Sequence, residues 1–339
     1  MPRFLIVAPS WVGDTVLAQP LFRRLLKQHP GALIDVFAPP WVGPVLLRMP
    51  EVGSVIPNPF AHGALELRER RRAGRSLRPH LYDQAFVLPN SFKSALVPFF
   101  AGIPVRTGFI GEARYALLND RRVLDARAVP LMVERFALLA EPRGAILPRP
   151  LPQPRLTIDP VRRQATLSRL GLSQDKPVAA FCPGAEYGPA KRWPAHHFAA
   201  LAQRLHGEGQ QIWLLGSQND AGVAAEINAQ CGGICVALAG RTSLDEVVDL
   251  LSCAALVVSN DSGLMHIAAA LDRPMAALYG SSSPRFTPPL STKAKVINLH
   301  LDCSPCFQRV CPLGHFNCMM QMSPQQVHEA LRENNAGPG

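Results

Sequence analysis

The sequence predicts an α/β protein built from two Rossmann-like doubly wound domains facing each other across a cleft. Three observations carry this. Short apolar runs alternate with amphipathic stretches in both halves, a proline-rich segment separates the halves, and polar, glycine-bearing turns follow the apolar runs. Open parallel sheets bind ligands in such turns, at the carboxyl ends of their strands. A chain of 339 residues is long for a single core and favours two domains. The expected boundaries are 1–150 and 151–322, followed by a C-terminal helix and flexible tail over 323–339.

In the first half, residues 3–8 read as a buried strand, 21–28 as an amphipathic helix, and 33–38 and 84–88 as further strands. Pro20 is expected to kink that helix or to open its regular part. Prolines at 142, 148, 150, 152, 154 and 160 are too many for a helix or central strand, which makes this stretch the interdomain linker. The alternation then resumes with strand 177–182, helix 194–205, strand 211–216, helix 220–230 and strand 234–238. A helix over 244–252 follows, capped by Thr242 or Ser243, then strand 255–258, a helix after Gly263 and strand 275–279. Ser323-Pro324 with Gln326 announces the last helix, and the tail from Asn334 is expected to be disordered.

Hydrophobic residues at 47% and charged residues at 18% exclude a disordered chain. The formal charge of +10 points to an acidic partner: nucleic acid, an anionic membrane surface or a phosphorylated small molecule. Nucleic acid is disfavoured, because no basic run is interleaved with aromatics as a single-strand platform requires. The densest basic run, over 68–78, reads as a solvated charged face on a mobile surface loop. No apolar run approaches the roughly 18 residues of a membrane span, and the apolar start is too short for a signal peptide. The chain is therefore expected in the cytosol, where its eight cysteines are thiols or metal ligands rather than disulfides.

The stretch SNDSGLMHIAAALDRP (259–274) is the most informative. An apolar strand enters a polar turn that opens onto an apolar helix; Asp261 and Ser262 can cap that helix, and Gly263 admits close approach to its backbone. The free amides and positive end of the helix then make an anion cradle, with His266 one turn in as a further donor. PSWVGDTVLAQP (9–20) sets Gly13 and Asp14 at the mouth of the first domain, Asp14 being either an N-cap or a general base. CPGAEYGPAKRWP (182–194) brings Lys191 and Arg192 close to a helix start, a poor place for cations unless they hold a diphosphate. GSQND (216–220) offers Asp220 as a ribose partner or a cap. Neither G-x-G-x-x-G nor a Walker lysine loop occurs, which disfavours a nicotinamide oxidoreductase and a P-loop enzyme. Cys303, Cys306, Cys311 and Cys318, with His315 among them, either gather around a structural zinc or iron–sulfur cluster or form a reduced thiol-rich loop.

With PSWVGDTVLAQPLFRRL, LPNSFKSALVPFFAGIPVRTGFIGEARYALLND (88–120), PGAEYGPAKRWP, SNDSGLMHIAAALDRP and CSPCFQRVCPLGHFNCM in this order, the chain resembles the ADP-heptose:lipopolysaccharide heptosyltransferases along nearly its whole length. The resemblance implies a GT-B fold, with ADP-heptose on the second domain and the growing lipopolysaccharide core on the first. It implies Asp14 as catalytic base and Lys191 as the phosphate-contacting lysine. Gly13, Glu186, Tyr187, Arg192, Asp220, Thr242, Asp261, Ser262, Gly263 and His266 make up the implied donor set. Ser91, Lys93, Arg106, Arg114 and Tyr115 would grip the carboxylates and phosphates of the acceptor. The expected reaction is inverting, needs no cofactor, and adds heptose to the first heptose of the inner core. The expected location is cytoplasmic and peripheral to the inner membrane, with the 68–78 run adding attraction to the acceptor or to the anionic leaflet. The rival readings are another heptosyltransferase of the same family with heptosyltransferase I or III specificity, a sugar-nucleotide epimerase, and a non-catalytic lipopolysaccharide-precursor binding protein.

Overall fold

The computed structural model describes residues 1–61 and 63–335. The chain divides into two compact units, Met1–Pro154 and Arg155–Gly339, the division falling inside the proline-rich stretch.

The first unit runs β1 (Arg3–Val7), α1 (Val12–Gln28), β2 (Leu33–Ala38), α2 (Gly43–Leu46), β3 (Ser54–Pro57), α3 (Leu67–Ser76), β4 (Gln84–Val87), α4 (Leu96–Phe100), β5 (Val105–Phe109), β6 (Asp120–Arg122) and α5 (Met132–Leu138). Its six strands are parallel in the order β3-β2-β1-β4-β5-β6, with Leu5 opposite Asp35 on one side and Ala85 on the other. Leu5 and Val7 face a cluster that includes Leu77, Leu96 and Val97, while the alternate residues Phe4 and Ile6 are also buried. Both faces of the sheet are thus covered, as a parallel sheet requires.

The second unit runs α6 (Pro160–Leu170), β7 (Val178–Cys182), α7 (Ala195–Gly207), β8 (Gln211–Leu214), α8 (Ala221–Gln230), β9 (Cys235–Ala237), α9 (Leu244–Leu251), β10 (Ala254–Asn260), α10 (Gly263–Ala270), β11 (Met275–Tyr279), β12 (Ala294–Asn298), α11 (Asn317–Met320) and α12 (Pro324–Asn335). Its parallel sheet, β12-β11-β10-β7-β8-β9, repeats the topology of the first. Phe181 packs with Phe198 and Leu201 of α7 and with Val327 and Leu331 of α12, so the last helix belongs to this core. In each sheet the strand order reverses at one place: between β1 and β4, and between β7 and β10. Those two points are where a doubly wound sheet opens to a ligand.

The departures from expectation are local. Helix α1 begins at Val12 and continues through Pro20, which lies inside it and is buried. The basic run over 68–78 is largely helix α3 and not a loop, with Arg70 only 4% exposed. Ser243, not Thr242, caps α9, in a capping box with Glu246. Ser323 and Gln326 exchange the expected capping contacts at the start of α12, which continues through Asn335; the tail beyond it lies outside the described residues. Among the described residues, no helix is long and apolar enough to cross a membrane.

Candidate active site

In the second unit, β7 and β10 carry their turns side by side. Lys191 ends a 3-10 turn (Pro189–Lys191), and its ammonium donates to Asp261 Oδ2 at 2.6 Å, the lysine side chain being 18% and the aspartate 5% exposed. Asn260, fully buried, sets this distance: its Nδ2 donates to Pro183 O at 2.7 Å and its Oδ1 accepts from Trp193 N at 3.0 Å. One side chain at the end of β10 therefore ties down both the strand-end loop and the residue two past Lys191. Sequence reasoning missed Asn260; a polar residue closing an apolar strand was the available signal.

The helix start after Asp261 is open. Ser262 occupies the N-cap position but makes no side-chain cap bond; its Oγ lies 3.3 Å from Ser259 Oγ, and the Asp261 carboxylate is turned to Lys191. Neither expected cap is made, so the first amides of α10 keep their capacity for an anion. His266 is 4% exposed, and its pKa is pushed down to about 4, by burial first and then by the Lys191 charge, with Asp261 opposing. It is a neutral imidazole behind the Lys191–Asp261 pair.

The Lys191 turn is held from its other side by the cysteine-rich segment. Ala190 N donates to Arg309 O at 3.1 Å, Tyr187 Oη donates to Phe307 O at 2.8 Å, and a Cβ on Gly188 would collide with Arg309 O. The Tyr187 ring receives both Lys191 and Arg309, each 5.2 Å from its centroid. Glu186 is exposed. Arg192 Nε and Thr242 Oγ1 are buried and make no hydrogen bond, the condition of polar groups that a ligand would satisfy.

Asp220 fills the capping position of its turn. It is 8% exposed, its Oδ2 accepts from Ser217 N at 2.9 Å and Ser217 Oγ at 2.8 Å, and its side chain lies where a Cβ on Gly184 or Gly216 would stand. Cys303, Cys306, Cys311 and Cys318 line one recess with His315 and Ser281. Backbone amides from Phe316 and its neighbours lower the Cys311 pKa, while burial and the other three thiols raise that of Cys318. Among the described residues no group of three or more His, Cys, Asp or Glu is arranged to hold a metal ion. What the segment does in this structure is brace the Lys191 turn through the Arg309 and Phe307 carbonyls.

In the first unit, Gly13 and Asp14 fall in the opening turn of α1, directly after β1. Asp14 is the third helical residue and partly exposed; Trp11 holds the N-cap position, so Asp14 is not the cap. A carboxylate there is favoured by the positive end of the helix. In the same unit, Ser91 and Lys93 line a recess at the carboxyl ends of β1, β2 and β4, together with Ser10, Trp41, Asn58 and Arg70. Trp41 is 52% exposed and fixed by its Nε1, which donates to Ser10 O at 2.8 Å.

Two of the predicted acceptor residues direct their guanidiniums into the first unit. Arg114 is 2% exposed and donates to the carbonyls of Pro89 and Phe109, to Asn90 Oδ1 and to Ser94 Oγ, knitting the β4 and β5 ends together. Arg106 donates to Leu117 O and Ile103 O and lies 5.6 Å over the Phe99 ring. Burial lowers the pKa of both, Arg114 to about 10. Tyr115 is 57% exposed.

Each of the two Rossmann-type sheets thus ends in polar strand-end turns of the kind that hold ligands in α/β proteins, one with a cation beside an open helix start and the other with an acid in the first turn of a helix. Residues 70–317 match glycosyltransferase family 9 (heptosyltransferase). The chain is 51% identical over 338 residues to lipopolysaccharide heptosyltransferase 2 of Escherichia coli K12, covering 97% of each chain. It is 48% identical over 309 residues to lipooligosaccharide heptosyltransferase 2 of Haemophilus influenzae, covering 88% of each. Among solved structures, E. coli ADP-heptose lps heptosyltransferase II superposes with a TM-score of 0.89 at 49% identity, covering 98% of both chains. The chain belongs to glycosyltransferase family 9, and its reaction is heptose transfer in lipopolysaccharide core synthesis.

Proposed function

We propose that the protein moves L-glycero-D-manno-heptose from ADP-heptose to the first heptose of the lipopolysaccharide inner core, with inversion at the transferred carbon. The observation that carries the donor half is the Lys191–Asp261 pair fixed beside the uncapped start of α10. Lys191 and the α10 amides bind the diphosphate and stabilise the charge that develops on departing ADP. Arg192 and Thr242 offer unpaired polar atoms to the same ligand.

Asp14 takes the proton of the attacking acceptor hydroxyl. As that oxygen bonds to the anomeric carbon, the bond to the β-phosphate oxygen breaks and ADP leaves with the electron pair. Ser91 and Lys93 hold anionic groups of the acceptor in their recess, and Tyr115 adds an exposed hydroxyl. Positive charge from Lys191 and the helix end serves where a divalent ion otherwise would, which makes the transfer metal-independent. The protein works at the cytoplasmic face of the inner membrane, in peripheral contact with it.

The test is a defined acceptor bearing one heptose, incubated with ADP-heptose. Mass spectrometry should show addition of one heptose, with ADP released only when acceptor is present, at the same rate in EDTA. NMR of the product should show the anomeric configuration inverted. Binding of ADP-heptose without release would instead support a precursor-binding protein, and a divalent-metal requirement would remove the role given to Lys191.

A further inference from the structure

Helix α3 has two opposite faces. Arg70, Gly74 and, just past its end, Leu77 are buried, and a Cβ on Gly74 would come within 2.6 Å of Phe100 and 2.7 Å of Val97 O, so the helix lies directly on α4. Arg68, Arg71, Arg72 and Arg75 follow the spacing i, i+3, i+4, i+7 and project together from the other side, all four exposed. Arg72 meets Glu69, the one acid in the helix, at 3.9 Å with both side chains mostly in water, an arrangement that neutralises little.

This stripe disfavours the helix that bears it. Arg68 over Arg72 and Arg71 over Arg75 are like-charge pairs one turn apart, and Glu66 at the N-cap is left-handed with a φ of 43° and no side-chain cap. Segments that break local rules while pinned by tertiary packing are where function concentrates. The pinned face of α3 already reaches the recess: Arg70 lines it and donates to the carbonyls of Leu65, Ala64 and Lys93. Leu65 and Leu67, each 50% exposed, stand at the start of the stripe.

We infer that α3 is the face by which the protein docks on an anionic bilayer. Its four guanidiniums pair with lipid phosphates, Leu65 and Leu67 enter the headgroup layer, and the recess is thereby presented to a lipid-borne acceptor. A row of arginines with apolar neighbours and no stacking aromatics suits a charged lipid surface better than a single-stranded nucleic acid. The inference rests on the proposed acceptor reading and deepens it by naming the surface.

The experiment is co-sedimentation of the full chain with vesicles of phosphatidylcholine alone or of equal parts phosphatidylcholine and phosphatidylglycerol. Wild-type protein should sediment with the anionic vesicles only, and less as salt is raised. The variant R68Q/R71Q/R72Q/R75Q should lose at least about tenfold in partitioning, since each basic residue near such a surface contributes around fivefold. The lysine version of the same four positions should keep most of the binding. Thermal melting and ADP binding serve as controls for folding. Equal sedimentation with neutral vesicles, undiminished binding by the glutamine variant, or binding of single-stranded RNA without vesicle binding would each overturn the docking face. Wild-type heptose transfer to a soluble acceptor, measured alongside, tests the reaction separately from the docking.

Discussion

Lys191 Nζ and Asp261 Oδ2 lie 2.6 Å apart, joining the turn after β7 to the turn after β10 at the point where the second sheet reverses its strand order. Removing one partner leaves the other charge buried without compensation. Lys191→Met should weaken ADP binding by about ten- to a hundredfold, the scale of a lost charge-assisted hydrogen bond. Asp261→Asn should lower the melting temperature, and the double variant should recover part of that loss. Calorimetric titration with ADP and a double-mutant cycle on thermal unfolding check both outcomes.

Asp14→Asn should reduce kcat by about 10²-fold to 10⁴-fold at saturating donor and acceptor, the usual cost of losing a general base. ADP affinity should be unchanged, because the proposed base acts on the acceptor hydroxyl and not on the nucleotide. An unchanged kcat would remove the base assignment.

Lys93→Ala should raise the acceptor KM several-fold while leaving the ADP-heptose KM alone, as expected for a group that grips an anionic acceptor. Initial-rate kinetics with each substrate varied in turn separates the two.

Arg114→Met should act in the opposite sense, on stability and not on KM. Its guanidinium satisfies buried carbonyls and side chains, and each group left unpaired costs about 1–3 kcal/mol. The midpoint of urea unfolding should fall, while the protein that remains folded keeps its acceptor KM.

His266 gives a pH dependence of stability. Burial holds its folded pKa near 4, below the ordinary value of 6.5. As pH falls from 6.5 towards 4 the unfolded chain takes up this proton and the folded one does not, so stability is lost across that window and the full loss is present below it. His266→Gln should flatten the slope of the unfolding free energy between those two pH values, read from urea titrations at each pH.

How far these features were legible in the sequence depends on what marks a residue before folding. Strand β10, its turn and α10 are announced by an apolar run meeting Asp-Ser-Gly, and both strand-end turns that carry Asp14 and Lys191 follow from the same grammar. Burial is not announced. Arg106 and Arg114 carry the same charge as a surface arginine, and only the fold turns their guanidiniums inward against carbonyls. Strand β6 reads Asp-Arg-Arg and has no apolar pattern to find, and β3 is four residues long at a sheet edge. Asp220 had its capping partner written three residues earlier in Ser217, a local signal overshadowed by its place after a strand. Pro20 does not mark the start of α1, because a helix anchored on both sides by buried residues tolerates one missing donor.

Trp193 Nε1 donates to Met322 O at 2.8 Å, immediately before the final helix, while Trp193 N is held by Asn260. The indole thus works as a bolt between the segment before α12 and the strand-end turns that carry Lys191 and Asp261. Removing α12 would take away Val327 and Leu331, uncover the Phe181 and Phe198 surface they pack on, and leave the Met322 end of that bolt without its anchor. An affinity label is therefore better appended past Asn335 than traded for the terminal helix, and a frameshift within the last few dozen codons should abolish donor recognition although every residue proposed to touch the donor is still encoded.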